Sequence, residues 1–128
     1  MLAQLENIAL ATDDVEGLRD FYLQLGGIAS PPSTDPKTID SCVVDFCGVR
    51  LEFVEPAPCG KSAAGDGRSS GLVHLGFALG SADAVDELTG AIAAAGYRVL
   101  ELPHRTCELG CYESVVLDPD GNRLKLTV

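Results

Sequence analysis

Asp118-Pro119-Asp120-Gly121-Asn122-Arg123-Leu124-Lys125 and Asp45-Phe46-Cys47-Gly48-Val49-Arg50-Leu51-Glu52 are two versions of one pattern. Asp, Gly, Arg and Leu recur at the same offsets, and each copy reads as a turn followed by a strand. Working outward, a second pair of stretches stands upstream of these. Asn7-Ile8-Ala9-Leu10-Ala11 corresponds to His74-Leu75-Gly76-Phe77-Ala78, and a helix-like segment follows each. Self-similarity at half the chain length signals a duplicated supersecondary unit. It picks out four equivalent positions: Asn7, Glu52, His74 and Lys125.

Between the repeated stretches the elements follow from periodicity and punctuation. Leu5 to Thr12 alternates apolar and small or polar residues and predicts a strand. Asp13 and Asp14 are placed to cap a helix, whose face carries Val15, Leu18, Phe21, Tyr22 and Leu25 before Gly26-Gly27 stops it. An extended piece and loop follow from Ile28 to Asp35, then strands over Thr38–Phe46 and Val49–Glu55. Pro56 to Ser70 lacks periodicity and is rich in Pro, Gly, Ala and Ser, which predicts a mobile linker and a candidate lid. In the second half, Gly71–Leu79 is a strand and Ser81 a helix cap. Val85, Leu88, Ile92 and Ala95 form the buried stripe of that helix, ended by Gly96. Tyr97–Leu102, Cys111–Leu117 and Asn122–Val128 are strands, with a loop over Pro103–Gly110. Each half thus reads strand, helix, three strands. The fold class is α+β, with two tandem βαβββ units: repeat 1 over about residues 1–56, a linker over 57–70 and repeat 2 over about 71–128.

A chain of 128 residues supports one ordinary core and not two independent ones, so the reading is a single domain spanning 1–128. Nearly half the residues are apolar, which excludes wholesale disorder. No apolar run approaches the roughly 18 residues of a membrane span, and no signal-peptide pattern follows Met1. The expectation is a cytoplasmic protein with no membrane partner. A net charge of −10 argues against a nucleic-acid surface. It suits a cationic ligand or simply solubility. Five cysteines are an odd number with no Cys-x-x-Cys pair, which fits reduced thiols better than disulfides or structural zinc. Cys107 and Cys111 leave open a redox or soft-metal pair in the loop beside Gly110.

The doubled order and these residues together resemble the vicinal oxygen chelate superfamily, which includes glyoxalase I, bleomycin-resistance proteins, fosfomycin-resistance enzymes and extradiol dioxygenases. The resemblance covers essentially the whole chain. It rests on Phe21-Tyr22 to Gly26, Leu51 to Pro56, Gly71 to Leu79 around His74, and Asp118 to Arg123. The segment Tyr112-Glu113-Ser114 is closest to the glyoxalase-I-like branch. The resemblance implies strands rolled into two half-open cups, a small-molecule ligand, a homodimer, and a divalent metal (Ni, Zn, Fe or Mn) held by one residue from each of four strands. Those positions are Asn7, Glu52, His74 and Lys125 here. Glu52 and His74 match the expected donor types. Asn7 offers only an amide oxygen, and a protonated Lys125 has no lone pair to give. The resulting expectation is no cofactor, or at most a weakly held divalent metal.

Strand parity turns Glu52 away from Leu51 and Phe53, making it the candidate catalytic base and metal ligand; the alternative is a solvated strand carboxylate. His74 is a metal ligand or a hydrogen-bonded core histidine. Lys125 either pairs internally with Glu52 or extends its ammonium to solvent. Asn7, Lys125, Arg105, Tyr112 and Glu113 are candidate substrate-binding residues, with His104 and Thr106 beside them. Arg105 suits an anionic group, and His104 and Glu113 suit acid–base roles. Two function classes follow. One is a metal-free protein that binds a small molecule in the cup. The other is a lactoylglutathione-lyase-like lyase or isomerase, whose divalent ion is held by Glu52 and His74 and acts as a Lewis acid.

Overall fold

The computed structural model describes residues 1–31, 41–55, 71–106 and 110–128. The expected linker and lid over Pro56 to Ser70 lie outside these residues, as do Cys59 and Cys107. The chain divides into two compact units, Met1–Gly65 and Asp66–Val128. The division falls within the stretch read as the linker.

The first unit holds β1 (Asn7–Ala11), α1 (Val15–Leu23), β2 (Ile28–Ala29), β3 (Ser41–Phe46) and β4 (Val49–Val54). Its sheet runs β1-β4-β3-β2, with β1 parallel to β4 and the other pairs antiparallel. The helix starts where the Asp14 carboxylate accepts a hydrogen bond from the Gly17 amide at 2.9 Å, satisfying one of the free donors of its first turn. Leu18, Phe21 and Tyr22 are fully buried on the sheet. The Tyr22 ring stacks on Phe53 at 5.1 Å and meets Phe21 edge-on at the same separation, geometries that aromatic quadrupoles favour. Leu25 falls beyond the helix and is only half-buried, so the buried stripe of α1 ends at Tyr22. At the β3–β4 turn, Cys47 and Gly48 both have positive φ (52° and 99°). That is the two-residue hairpin geometry matching strand twist, and Asp45 Oδ1 braces it by accepting from the Gly48 amide at 3.0 Å.

The second unit repeats the plan with β5 (Leu75–Ala78), α2 (Ala82–Ala94), β6 (Val99–Arg105), β7 (Tyr112–Leu117) and β8 (Arg123–Thr127). The sheet order is β5-β8-β7-β6, again with one parallel pair, β5 with β8. Ser81 caps α2 by accepting from the Ala84 amide at 3.1 Å. Val85, Thr89 and Ile92 are its buried positions, and Leu88 is half-buried. Thr89 takes part in a polar contact that periodicity does not reveal. Its hydroxyl donates to the Val85 carbonyl at 2.6 Å and lies 2.7 Å from the Ser114 hydroxyl, both groups buried. The β7–β8 turn is longer than its counterpart. Asp118 organises it by accepting from the amides of Asp120 and Asn122 and from the Asn122 side chain.

Two strand assignments differ from expectation for physical reasons. Residues 71–74 precede β5 rather than belonging to it: the partner strand β8 begins at Arg123, level with His74, and leaves nothing alongside residues 71–73. Conversely, β6 continues through Pro103 to Arg105, where a loop was expected. Proline cannot donate to a ladder, but β6 is an edge strand with register shifts on either side of Glu101, where a proline is tolerated.

Candidate functional site

In each unit the helix covers one face of the sheet, so the opposite, open face is where polar residues alternate in. On β4 Leu51 and Phe53 are buried and Glu52 projects to the open side, half-buried. Parallel register sets Ala9 beside Glu52, with Asn7 two residues earlier on the same face. The Asn7 amide reaches across and donates from Nδ2 to Glu52 Oε2 at 3.2 Å.

The second unit reproduces this frame with different chemistry. Gly76 stands beside Lys125 as Ala9 stands beside Glu52. His74, two residues before Gly76, therefore corresponds to Asn7, and Lys125 to Glu52. The ammonium of Lys125 lies 2.8 Å from Glu113 Oε2 on the neighbouring strand. The Glu113 side chain is 13% exposed and that of Lys125 37%. Glu113 Oε2 itself is closed to solvent, and the contact is an ion pair without the alignment of a hydrogen bond. The described partner of Lys125 is thus a carboxylate of its own unit, whereas the expectation was either Glu52 or solvent. Glu113 was legible only as one residue among several near the loop, since it falls outside the four repeated positions.

The remaining candidates do not share one surface. His104 pairs in register with Glu113, and its Nδ1 donates to the Leu102 carbonyl at 2.8 Å. Tyr112 and Arg105 face the other way, towards the helix. Tyr112 donates its hydroxyl to Asp86 of α2 at 2.5 Å, and the Arg105 guanidinium lies 5.9 Å from the Tyr112 ring centre. The hydrogen bond to Asp86 pushes the Tyr112 phenol above its ordinary range, with desolvation adding to it. Of the residues proposed for substrate, the structure therefore brings Glu113 and Lys125 together, and separately Arg105 and Tyr112.

The first unit also has a groove of about 780 Å³ beside the start of α1, lined in part by Asp14, Glu16, Arg19, Asp20, Cys42 and Glu55. Burial pushes the Cys42 thiol up from its ordinary value, only partly opposed by Arg19, so this thiol is poorly disposed to act as a thiolate. Cys42, Cys47 and Cys111 are all free. No described helix is long and apolar enough to cross a membrane.

Residues 4–126 match the glyoxalase/bleomycin resistance protein/dioxygenase superfamily. The chain belongs to that superfamily. No curated protein matches it. Among solved structures, a glyoxalase/bleomycin resistance protein/dioxygenase family enzyme from Burkholderia phytofirmans is 25% identical, with 98% of each chain covered and a TM-score of 0.76. A lactoylglutathione lyase from Agrobacterium tumefaciens is 21% identical over 99% of this chain and 94% of that one, at a TM-score of 0.71. A glyoxalase-related enzyme from Fulvimarina pelagi is 22% identical over 98% and 88%, at 0.73. At these identities the last two show likeness of fold alone.

The four residues at which the resemblance expects metal ligands do not all suit a metal. Glu52 and His74 have the right ligand atoms. The Asn7 amide is turned to donate to Glu52, and Lys125 presents an ammonium already paired with a carboxylate. An ammonium has no lone pair with which to ligate. Within either unit, no three His, Cys, Asp or Glu side chains among the described residues are grouped to hold a metal.

Proposed function

We propose that this chain is a small-molecule-binding member of the superfamily with a degenerate metal position, holding at most a weakly bound divalent ion. The observation that carries the reading is the Lys125–Glu113 ion pair at 2.8 Å, which puts a cation at the register position of Glu52. Two remaining donors of metal-binding type, Glu52 and His74, would leave most of a divalent ion's coordination sphere to water, so affinity falls far below that of a complete site. Binding of the ligand then depends on the polar groups of the open faces. Membership of the superfamily also supports a homodimer, which sedimentation at tens of micromolar checks.

Metal analysis of protein purified without chelator tests this reading. The expected result is well below one nickel, zinc, iron or manganese ion per chain. One stoichiometric ion, lost in both Glu52→Gln and His74→Ala, would overturn it. The alternative, a lactoylglutathione-lyase-like lyase or isomerase with a divalent ion held by Glu52 and His74, would then stand in its place.

A further inference from the structure

Resting on the reading that the chain binds a small molecule, we infer that the second unit takes an anionic one: a carboxylate-bearing ligand seated over Gly76 between His74, Arg123 and Lys125. Gly76 lies beside Lys125 in the β5–β8 register and has no side chain to cover the backbone there. Among the described residues, a Cβ placed on it would meet only the His74 Cδ2 atom, at 4.0 Å. The imidazole thus borders an uncovered patch of strand. Arg123 precedes Lys125 by two residues on β8 and so projects from the same face. Continuing the register one step beyond Leu75 and Leu124 sets His74 alongside Arg123. Three nitrogen-bearing side chains therefore surround a bare floor.

Glu113 is placed to position Lys125 without blocking this floor. It registers with Thr127, two residues further along β8 from Lys125, whereas Arg123 lies two residues the other way. The buried carboxylate oxygen engages the ammonium from that far side, which leaves N–H donors of Lys125 for a ligand. A guanidinium and an ammonium two residues apart on one strand suit a carboxylate, whose two oxygens accept from both. The first unit lacks this character. Its corresponding residues are Asn7, Arg50 and Glu52, with Arg50 facing Asp45 at 3.9 Å. Glu113 offsets the charge of Lys125, so Arg123 supplies the surplus positive charge beside this floor, and within a chain of net charge −10 that local charge favours an anionic ligand.

Amide chemical-shift titration of the labelled full chain with oxalate, with inorganic phosphate as a separate arm, tests the inference. Saturable shifts are expected at residues 74–76 and 123–125 with oxalate. Lys125→Gln and Arg123→Gln should each weaken that binding by at least about tenfold, a change of about 1.4 kcal/mol. Gly76→Val keeps every charge and suits a strand, yet should weaken oxalate equally by covering the floor. Linear, unsaturable shifts, or oxalate binding unchanged in Lys125→Gln, would overturn the inference. So would binding of phosphate without oxalate. Protein that purifies without metal and ignores oxalate defeats this inference alone, whereas a stoichiometric metal defeats the functional reading beneath it.

Discussion

Lys125 lets Glu113 keep its charge in a place where one of its oxygens has no access to water. Removing the ammonium strands that carboxylate, and an uncompensated buried charge is expensive. Because Lys125 is itself partly exposed, the loss is smaller than for a fully buried pair. Lys125→Met should destabilise the chain by about 1–3 kcal/mol. Adding Glu113→Gln should recover much of that in a denaturant-unfolding cycle, because the stranded charge is then gone. At Tyr112 the prediction concerns pH. Its phenol is raised by the bond to Asp86, so the folded state favours the neutral form. The stability this contributes is whole below about pH 10, the ordinary tyrosine value, and is lost as pH rises through the higher folded value. Tyrosinate absorbance should therefore show one of the three tyrosines titrating lower in Asp86→Asn than in the parent. Of these residues, the equivalence of Lys125 with Glu52 was legible from spacing alone. Their different partners were not, because a neighbour on an adjacent strand leaves no mark in a linear repeat.

The helices show how patterning locates an element and misplaces its details. Hydrophobic spacing found the buried sides of α1 and α2, and the acidic or hydroxyl residue before each found its start. Hydrophobic spacing omits Thr89 because a hydroxyl does not register as core. It sits where an apolar residue would, with its polarity satisfied by Val85 and Ser114. Thr89→Val should cost about 1–3 kcal/mol, the range for a buried polar group that loses its partner. Replacing Ser114 with Ala as well should bring the double variant closer to the parent than the single one. Thermal unfolding of the three variants decides this. Proline ends most strands, so Pro103 predicts an earlier end to β6 than Arg105. Here the proline falls where the edge ladder is already irregular, so the usual inference from proline fails.

At the scale of the whole molecule, duplication was the most legible feature. Two sheets of identical strand order, each with its first strand parallel to its last, stand where the sequence shows two similar halves. The individual turns were less legible. A two-residue turn at Cys47-Gly48 is braced by Asp45 within β3, whereas a five-residue one over Asp118–Asn122 begins with its own aspartate; both aspartates accept hydrogen bonds from backbone amides. The shared Asp and Gly concealed the difference in length.

That same Cys47-Gly48 turn has a kinetic consequence. The strands β3 and β4 are adjacent in the chain and close across two residues, whereas β1 must be recruited from far upstream to complete the sheet. Local closures precede distant ones because less chain entropy is lost in making them. The β3–β4 hairpin is thus the natural nucleus, and β1 docks late. Cys47 holds φ at 52°, a conformation that asparagine adopts more readily than cysteine. Cys47→Asn should therefore lift the refolding limb of a chevron and leave the unfolding limb nearly unmoved, the signature of a change already felt in the transition state. An equal but opposite movement confined to the unfolding limb would place hairpin closure after the barrier, with the parallel pairing of β1 as the event that sets the pace.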